Sequence, residues 1–429
     1  MSVTIGIDFG TSFCSASWIN PNTGKPEAVR FKDTGSEKLP SVIAFSNSGK
    51  AFVGSGPYTQ LENLSIDASL SEEERDMQLC NFFTSIKTHI RQGQTWRRPE
   101  KSYTDADLIA IILKKIKDEV EISIPIEGEI DKVVLTHPVE FEEWKKEILK
   151  HAAALAGLKK VKLLEEPNAA AIYALKAKLI PSTCKGLLVY DFGAGTFDVT
   201  YLQIDSDGQP HMPVLPQGDA HCGGDDIDKA LYDDWNKYTK ATKNREVSAN
   251  PNELDIAFMY RCRRLKEQLS KGFISDEISE YIPGIGRIRR SFTEQDFNRI
   301  VEPIVDRTIA KVEVVLKEIK QNNLPLTHAV LIGGSSNLPL VQTKMQNLLG
   351  NSVKLITTGN YDIAVAVGAM YSVETQILKP QPDKTFTAKW EYPSPQAPKE
   401  CFCIYCGKKI MTSHKVCMFC GKPNFSYKP

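Results

Sequence analysis

The stretch VYDFGAGTFD at residues 189–198 decides the fold of this 429-residue chain. A short β-rich apolar run leads there into Asp191, a pattern that is typical of a strand ending at a ligand-binding crevice. Gly193 and Gly195 let the backbone approach a phosphate closely, and the Thr196 hydroxyl adds a hydrogen-bond donor. The sequence therefore predicts a phosphate-binding turn at the carboxyl end of a strand.

The N-terminal segment IGIDFGTSF at residues 5–13 repeats this pattern. Asp8 is followed by Phe-Gly and then by small and hydroxyl residues, as Asp191 is. The repeat indicates two similar halves that close on one nucleotide, with the two carboxylates holding Mg²⁺ through water. The alternative is a pair of ordinary strand-to-hairpin turns that share Asp-Phe-Gly by chance.

The segment AVLIGGSSNLP at residues 329–339 predicts a third part of the site. A strand is followed by the Gly333-Gly334 turn and by a helix with proline near its start, which can form a platform for an anion or a base. Strands alternate with helical stretches throughout, and this alternation indicates an α/β fold. The expected helices are 105–119, 142–156, 167–178, 253–270 and 294–320.

Composition excludes several other classes of protein. Lys plus Arg and Asp plus Glu both number 53, so no global field draws the chain to nucleic acid or an acidic membrane. A hydrophobic fraction of 41% argues against disorder of the whole chain. Apolar runs stay below the ~18 residues that span a bilayer, and the N-terminus reads as a strand. We expect a soluble cytoplasmic protein without a membrane partner.

Four cysteines near the C-terminus form two similar knuckles, Cys403-x₂-Cys406 and Cys417-x₂-Cys420. This spacing predicts a zinc ribbon with closed, structural Cys₄ coordination. Disulfides and a rubredoxin-like iron site are the alternatives. Residues 401–429 also hold five lysines, no acids and several aromatic side chains. We expect docking of a partner protein there, with nucleic-acid binding and a purely structural terminus as less favoured interpretations.

Several motifs in order resemble the nucleotide-binding domain of the 70-kDa heat-shock chaperones of DnaK type, members of the actin-like ATPase superfamily. The resemblance runs from residue 3 to about 376 and implies an actin-like ATPase fold, α/β, with two lobes and a duplicated ribonuclease-H-like core. The matching motifs are DFGTS, EEPNAAA, DFGAGTFD, CGGDDID, RRLKEQLS, GGSSNLP and NYDIAVAVGA. The implied division is 1–180 for lobe I, 181–378 for lobe II with its last helix returning to lobe I, 379–400 for a Pro-rich linker and 401–429 for the zinc ribbon.

The resemblance also implies roles for individual residues. Asp8 and Asp191 would anchor the Mg²⁺ shell, Lys87 would lie at the γ-phosphate, and Glu166 and Asp198 would orient the attacking water. The implied nucleotide contacts are Gly10, Thr11, Ser12, Phe13, Gly193, Gly195, Thr196, Gly223, Gly224, Lys266, Glu267, Ser270, Gly333, Gly334, Ser335, Asn337 and Asp362.

Two positions depart from the family pattern. Arginines usually frame the adenine there, whereas this chain has Glu267 and Asn337, so planar guanidinium stacking is lost. Arg263 or Arg264 is available to compensate. ATP or ADP remains the expected nucleotide through the resemblance alone.

We expect chaperone-like, Mg²⁺-dependent ATP binding and slow hydrolysis that opens and closes the lobes. The motion would signal to a partner protein or co-chaperone recruited partly by the ribbon, and we expect no peptide-binding domain of the chain's own. A non-hydrolysing, nucleotide-responsive scaffold and a small-molecule kinase of the same superfamily are the alternatives. The sequence carries no signal for an oligomeric state.

Overall fold

Two mixed β-sheets with matching strand order frame the protein in the computed structural model. The structure describes the following residues: 3–46, 48–67, 69–71, 74, 78, 81–91, 95–97, 102–124, 129–206, 210–247, 256–271, 277–282, 285–357, 361–373, 400–402 and 409–411. The predicted linker therefore lies outside the described residues except at residue 400.

The strands are mostly short, and many end at turns that contain glycine or proline. They are β1 (Val3–Asp8), β2 (Phe13–Asn20), β3 (Lys25–Ala28), β4 (Leu39–Pro40), β5 (Ile43–Phe45), β6 (Ala51–Val53), β7 (Phe82–Phe83), β8 (Thr95–Arg97), β9 (Ser102–Thr104), β10 (Ile130–His137), β11 (Val161–Glu165), β12 (Gly186–Phe192), β13 (Phe197–Ile204), β14 (Pro210–His211), β15 (Gln217–Asp219), β16 (Glu277–Ile282), β17 (Gly286–Ser291), β18 (His328–Ile332), β19 (Lys354–Thr357), β20 (Glu400–Phe402) and β21 (Lys409–Met411).

The helices follow the expected stretches closely. Two of them start with a capping box, in which a threonine accepts from a backbone N–H and an aspartate caps it in return, at Thr104 and at Thr293. The helices are α1 (Ser55–Ile66), α2 (Asp105–Ser123), α3 (Glu143–Leu155), α4 (Glu166–Lys176), α5 (Gly224–Lys243), α6 (Ile256–Ser270), α7 (Glu294–Gln321), α8 (Pro339–Leu349) and α9 (Tyr361–Tyr371), with 3₁₀ turns at Ile86–His89 and Gly334–Asn337.

The two large sheets show that one architecture occurs twice. The first has the order β11-β10-β1-β2-β3, and the second has the order β19-β18-β12-β13-β14. In both, the first strand in sequence pairs antiparallel with the next strand and parallel with a later one: β1 with β2 and β10, and β12 with β13 and β18. This duplication is the two-lobed, ribonuclease-H-like core that the sequence predicts. We call the part built on the first sheet the first lobe and the part built on the second sheet the second lobe.

Helices α4 and α9 pack where the two lobes meet. Alanines of α4, with Val365 and Ala369 of α9, share one apolar cluster with Val189 of β12. Small residues allow this close approach: a Cβ added at Gly6 would lie 2.5 Å from the Ala366 carbonyl oxygen. Ser17 Oγ also donates to that carbonyl at 2.6 Å. The strand ends that carry Asp8 and Asp191 are therefore held on a common, tightly packed base.

Within the described ranges, none of the helices combines the length and the low charge needed to cross a bilayer.

Candidate active site

A cleft of about 680 Å³ lies between the two Asp-Phe-Gly turns. Residues of both lobes line it, and the turns come close together: a Cβ added at Gly195 would lie 3.1 Å from Thr11 Oγ1. The site residues predicted from the sequence that line the cleft are Asp8, Gly10, Thr11, Ser12, Phe13, Lys87, Glu166, Asp191, Gly193, Thr196, Lys266, Glu267, Ser270, Gly333, Gly334, Ser335 and Asn337.

The first turn, residues 8–13, is tied to the strand beside it. Ser41 Oγ donates to the Gly10 carbonyl at 2.9 Å, and the Ser41 amide donates to the Ser12 carbonyl at the same distance. A side chain at Gly10 would collide with the Phe13 carbonyl, so the turn requires glycine. Thr136 Oγ1 at the end of β10 donates to Asp8 Oδ1 at 3.2 Å. The turn is thus fixed before any ligand arrives.

The second turn, residues 191–197, is held from behind by α5. The Gly224 amide donates to the Gly193 carbonyl at 3.1 Å, and the Asp225 amide donates to the Ala194 carbonyl at 2.7 Å. Gly223 packs directly on Gly195: a Cβ added at Gly223 would lie 2.5 Å from the Gly195 Cα. The glycines at 223 and 224 therefore support the turn from outside the cleft lining.

The third part of the site, the loop that contains Gly333 and Ser335, also contacts the second turn. Ser335 Oγ in the 3₁₀ turn Gly334–Asn337 donates to the Gly193 carbonyl at 2.8 Å. Gly333 has a φ of +81°, and a Cβ there would lie 2.8 Å from Asp191 Oδ1. The Gly-Gly motif therefore lets the third loop close against the second turn.

A buried ion pair crosses the floor of the cleft. Lys87 comes from the 3₁₀ turn Ile86–His89, and Glu166 is the first residue of α4. Lys87 Nζ lies 2.5 Å from Glu166 Oε1, and both side chains are less than a tenth exposed. Burial alone lowers the pKa of Lys87, but neighbouring carboxylates, with Glu166 and then Asp8 the strongest, outweigh it and leave that pKa raised. The lysine is therefore a firmly charged donor inside the cleft.

Carboxylates outnumber cations around this pair. Burial, followed by the charges of Glu166 and Asp8, raises the pKa of Asp191 well above its usual range. Asp198 lies opposite Asp191 in the β12–β13 pairing, and burial, followed by the charges of Asp191 and Glu166, raises its pKa as well. Because one lysine faces four acidic side chains, the cluster favours protons on some of them.

This donor set fits Mg²⁺ held through water. Asp198 Oδ1 is buried without a hydrogen-bond partner among the described residues, so it has unused acceptor capacity. A divalent cation beside Asp8 and Asp191 would relieve the repulsion between them. Across the described ranges, no three His, Cys, Asp or Glu side chains form a direct metal cage. Coordination through water needs no such cage.

The outer end of the cleft is lined by α6 and the third loop. Glu267 and Asn337 are both exposed there, and Asn337 Nδ2 donates to the Gly334 carbonyl at 3.1 Å. Arg263 also lines the cleft, but its guanidinium donates to Asp225 Oδ1 at 2.7 Å and to Asp228 Oδ2 at 3.2 Å. Arg263 is thus committed to ion pairs, and Arg264 is exposed outside the lining.

Some lining residues carried no recognisable sequence signal. They are Cys14, Lys38 and Lys271, whereas Ala194, Leu338 and Val365 also line the cleft and lie within the quoted motifs without having been assigned to the site. Conversely, Asp198, which lies opposite Asp191 in the β12–β13 pairing, does not belong to the lining. Asp362 falls in the first turn of α9, and its side chain is outside the described part. The four knuckle cysteines also lie outside the described residues.

A family model for the Hsp70 protein matches residues 4–388. The chain belongs to the Hsp70 family. Two curated Hsp70 relatives match this chain at similar levels. The chaperone protein DnaK of Thermosipho africanus (strain TCF52B) is 29% identical over 383 residues, and the chaperone protein DnaK of Thermotoga maritima is 29% identical over 389 residues. Each match covers 87% of this chain and 59% of the relative.

A eukaryotic Hsp70 relative matches equally well. Heat shock cognate 70 kDa protein 3 of Dictyostelium discoideum is 29% identical over 395 residues, which cover 87% of this chain and 60% of that protein. The chain thus spans about three-fifths of the length of these relatives. The family match and the duplicated sheets together confirm the actin-like ATPase fold.

Proposed function

We propose that the protein binds ATP with Mg²⁺ in this cleft and hydrolyses it slowly, and that lobe closure signals to a partner protein. The observation that carries the proposal is the buried Lys87–Glu166 pair facing Asp8 and Asp191 where the two phosphate turns meet. Phosphoryl transfer to water needs charge neutralisation and an oriented nucleophile more than covalent chemistry. These side chains supply both requirements.

Each residue has a task that its environment supports. Lys87 donates to the transferred phosphoryl oxygens, and Glu166 fixes the ammonium in place at 2.5 Å. The Thr11 and Thr196 hydroxyls and the nearby backbone amides bind the remaining phosphate oxygens. Glu166, which lines the cleft, orients the attacking water, and Asp198, which lies opposite Asp191 and has a raised pKa, accepts the proton that this water loses. Mg²⁺, held by Asp8 and Asp191 through water, would neutralise charge on the phosphates.

The test is single-turnover hydrolysis of ATP with Mg²⁺, beside calorimetric measurement of nucleotide binding. Lys87→Ala should slow phosphate release about 100-fold or more while binding persists, because it removes one buried donor to the transition state. Lys114→Ala is the control, since Lys114 is an exposed lysine of α2 that pairs with Asp118 and does not line the cleft. It should hydrolyse ATP at close to the wild-type rate.

The outcomes separate the alternatives. Tight binding by the wild type with no phosphate release would identify a nucleotide-responsive scaffold. ADP formation that requires an added small-molecule acceptor, with the phosphoryl group found on that acceptor and not as free phosphate, would identify a kinase. Unchanged hydrolysis in Lys87→Ala would remove this lysine from the mechanism.

The C-terminal zinc ribbon is part of the proposal as the element that recruits the partner, a co-chaperone or another protein. Strands β20 and β21, which flank residues 403–408, pair antiparallel, and Phe402 lies opposite Lys409. Such a hairpin suits a knuckle in its loop. Elemental analysis of the full chain should find one zinc per chain, lost in Cys403→Ser and Cys417→Ser and kept in Cys401→Ser. Zinc retained in all three variants would exclude this site.

A further inference from the structure

The turn that presents Lys87 is short and is braced internally. Its first carbonyl, that of Ser85, accepts from the Thr88 amide at 3.1 Å and from Thr88 Oγ1 at 2.9 Å. Ser85 itself has a φ of +51°, which is left-handed backbone for a residue other than glycine. Such a conformation persists only where the surroundings enforce it. Groups outside the turn must therefore hold it in place.

One buried carboxylate, Asp105, holds the residues that follow the turn. The Arg91 amide donates to Asp105 Oδ2 at 3.0 Å, and Trp96 Nε1 donates to Asp105 Oδ1 at 2.6 Å. The Trp96 ring packs edge-on against Phe83, which precedes the turn, with ring centroids 5.6 Å apart. Asp105 thus connects the chain on both sides of Lys87, at the start of α2 and away from the cleft.

We propose that Asp105 is a positioning residue for Lys87, whose ionised carboxylate holds the Ile86–His89 turn so that the lysine meets Glu166. Protonation weakens this hold, because a protonated carboxyl keeps acceptor capacity for one of its two donors and turns the other oxygen into a donor. The kinetic part of the inference rests on the proposed ATP hydrolysis. The structural part does not.

The charge of Asp105 can change near neutral pH. Burial raises the pKa of Asp105 to about 7, although the hydrogen bonds from Trp96 and the Arg91 amide and the charge of Arg91 act in the opposite direction. Arg91 is the charged group facing it from the turn, and its guanidinium donates to the Thr88 and Ile90 carbonyls at 3.2 Å. From α2, Asp107 is occupied by Thr104 instead.

The direct test follows the Trp96 indole proton by NMR in the full chain from pH 5.5 to 8.5, with Trp96→Phe to assign the signal. The wild-type resonance should titrate with a midpoint of about 7, and Asp105→Asn should abolish the titration. A Trp96 signal that stays constant between pH 6 and 8 would overturn the proposal, whatever the protein does with ATP.

The kinetic test compares Asp105→Asn with Asp107→Asn, its neighbour in the first turn of α2. Loss of one charge-assisted hydrogen bond is worth about 1.5 kcal/mol, so Asp105→Asn should slow single-turnover hydrolysis about tenfold. Its nucleotide Kd should stay within about twofold of wild type, and the change in rate with a midpoint near pH 7 should disappear. Asp107→Asn should keep the wild-type rate and profile.

The two proposals fail in different ways. A wild type that binds ATP and never releases phosphate contradicts the proposed function, and the Trp96 titration still decides the role of Asp105. A wild type that hydrolyses ATP, with Asp105→Asn equal to it in rate and pH profile, contradicts the positioning role alone. A melting curve for each variant shows that the fold is retained.

Discussion

The two ends of the cleft differ in how the chain supports them. At the inner end, where we propose that the phosphates bind and which we call the phosphate end, Lys87 and Asp198 are nearly fully buried. Hydrogen bonds tie each of the turns there to a neighbouring element. At the outer end, Glu267 and Asn337 stand exposed on α6 and the third loop. A substitution at the first end must disturb several partners, whereas one at the second end disturbs few. The two positions that we expect to depart from the family pattern, Glu267 and Asn337, are therefore at the open end.

The largest expected effect comes from Gly195→Ala at the phosphate end. The added methyl would collide with Thr88 Cγ2 of the other lobe and press on Thr11 Oγ1. Overpacking of this kind costs about 1–3 kcal/mol, and it acts only when the lobes are closed. Calorimetry should therefore show ATP affinity reduced by about 5- to 150-fold.

Gly334→Ala is the matched control at the outer end, since an added Cβ there meets no protein atom within 4 Å. Without nucleotide it should melt at the wild-type temperature, whereas Gly195→Ala should melt lower if the unliganded lobes are closed. Equal ATP affinity in Gly195→Ala and wild type would show that the two turns do not approach each other in the bound state.

The shape of the two turns at the phosphate end could be predicted from the sequence for a physical reason. The Asp8 and Asp191 turns need glycines, small residues and an acid at fixed spacing, and such local demands leave a readable pattern. Helix starts such as Thr104 and Thr293 are local as well. Lys38 reaches the cleft through long-range packing, and its local sequence does not reveal this position. Asp105 was visible only as the first residue of a helix, because its partners Arg91 and Trp96 come from separate loops.

The second prediction concerns pH and tests the carboxyl groups of the phosphate end. The pKa values of Asp191 and Asp198 are raised in the folded state, so the folded protein holds protons that the unfolded chain has released. The free energy of unfolding of the nucleotide-free protein should therefore fall as pH rises above about 4, by about 1.4 kcal/mol per pH unit for each group titrating. Chemical denaturation at several pH values measures this slope.

Asp198→Asn supplies the control for the pH prediction, because it removes one of the proton-holding carboxyl groups, which also include Asp105, and keeps the side-chain size. Its slope should be shallower than that of the wild type. Addition of Mg²⁺ and ATP, which favour the ionised carboxylates, should flatten the slope further. If the stability of the nucleotide-free protein rises through this range instead, the folded protein stabilises the ionised carboxylates, and the prediction is wrong.

The third prediction tests how the two lobes hold each other across the mouth of the cleft. Tyr260 of α6 is buried in a small cluster with Val42 and Leu61 of the first lobe. Ser85 Oγ also donates to Asp225 Oδ2 across the cleft at 2.9 Å. Removing the ring forfeits about 1.4 kcal/mol of closed-state contact, so Tyr260→Ala should release nucleotide about tenfold faster.

Stopped-flow release of a fluorescent nucleotide measures this effect. Phe52→Ala is the control, since Phe52 is an aromatic residue of the first lobe that is 45% exposed and outside the cluster. Its release rate should match the wild type. If Tyr260→Ala releases nucleotide no faster, the cluster does not limit opening of the lobes.

The smallest expected effect is a gain at the outer end. Glu267→Arg restores a planar guanidinium on α6 at the position where the family frames the adenine, and an exposed cation–π contact contributes about 0.5–1 kcal/mol. ATP should therefore bind about two- to fivefold more tightly, and Asn337→Arg should add a similar gain. Inorganic tripolyphosphate, which carries no base, provides the internal control because it contacts only the phosphate end. If tripolyphosphate gains as much affinity as ATP does, the arginine acts through its charge, and the two ends of the cleft are not independent. If ATP alone gains affinity, the arginine contacts the base at the outer end, and the phosphate end binds the phosphates independently of it.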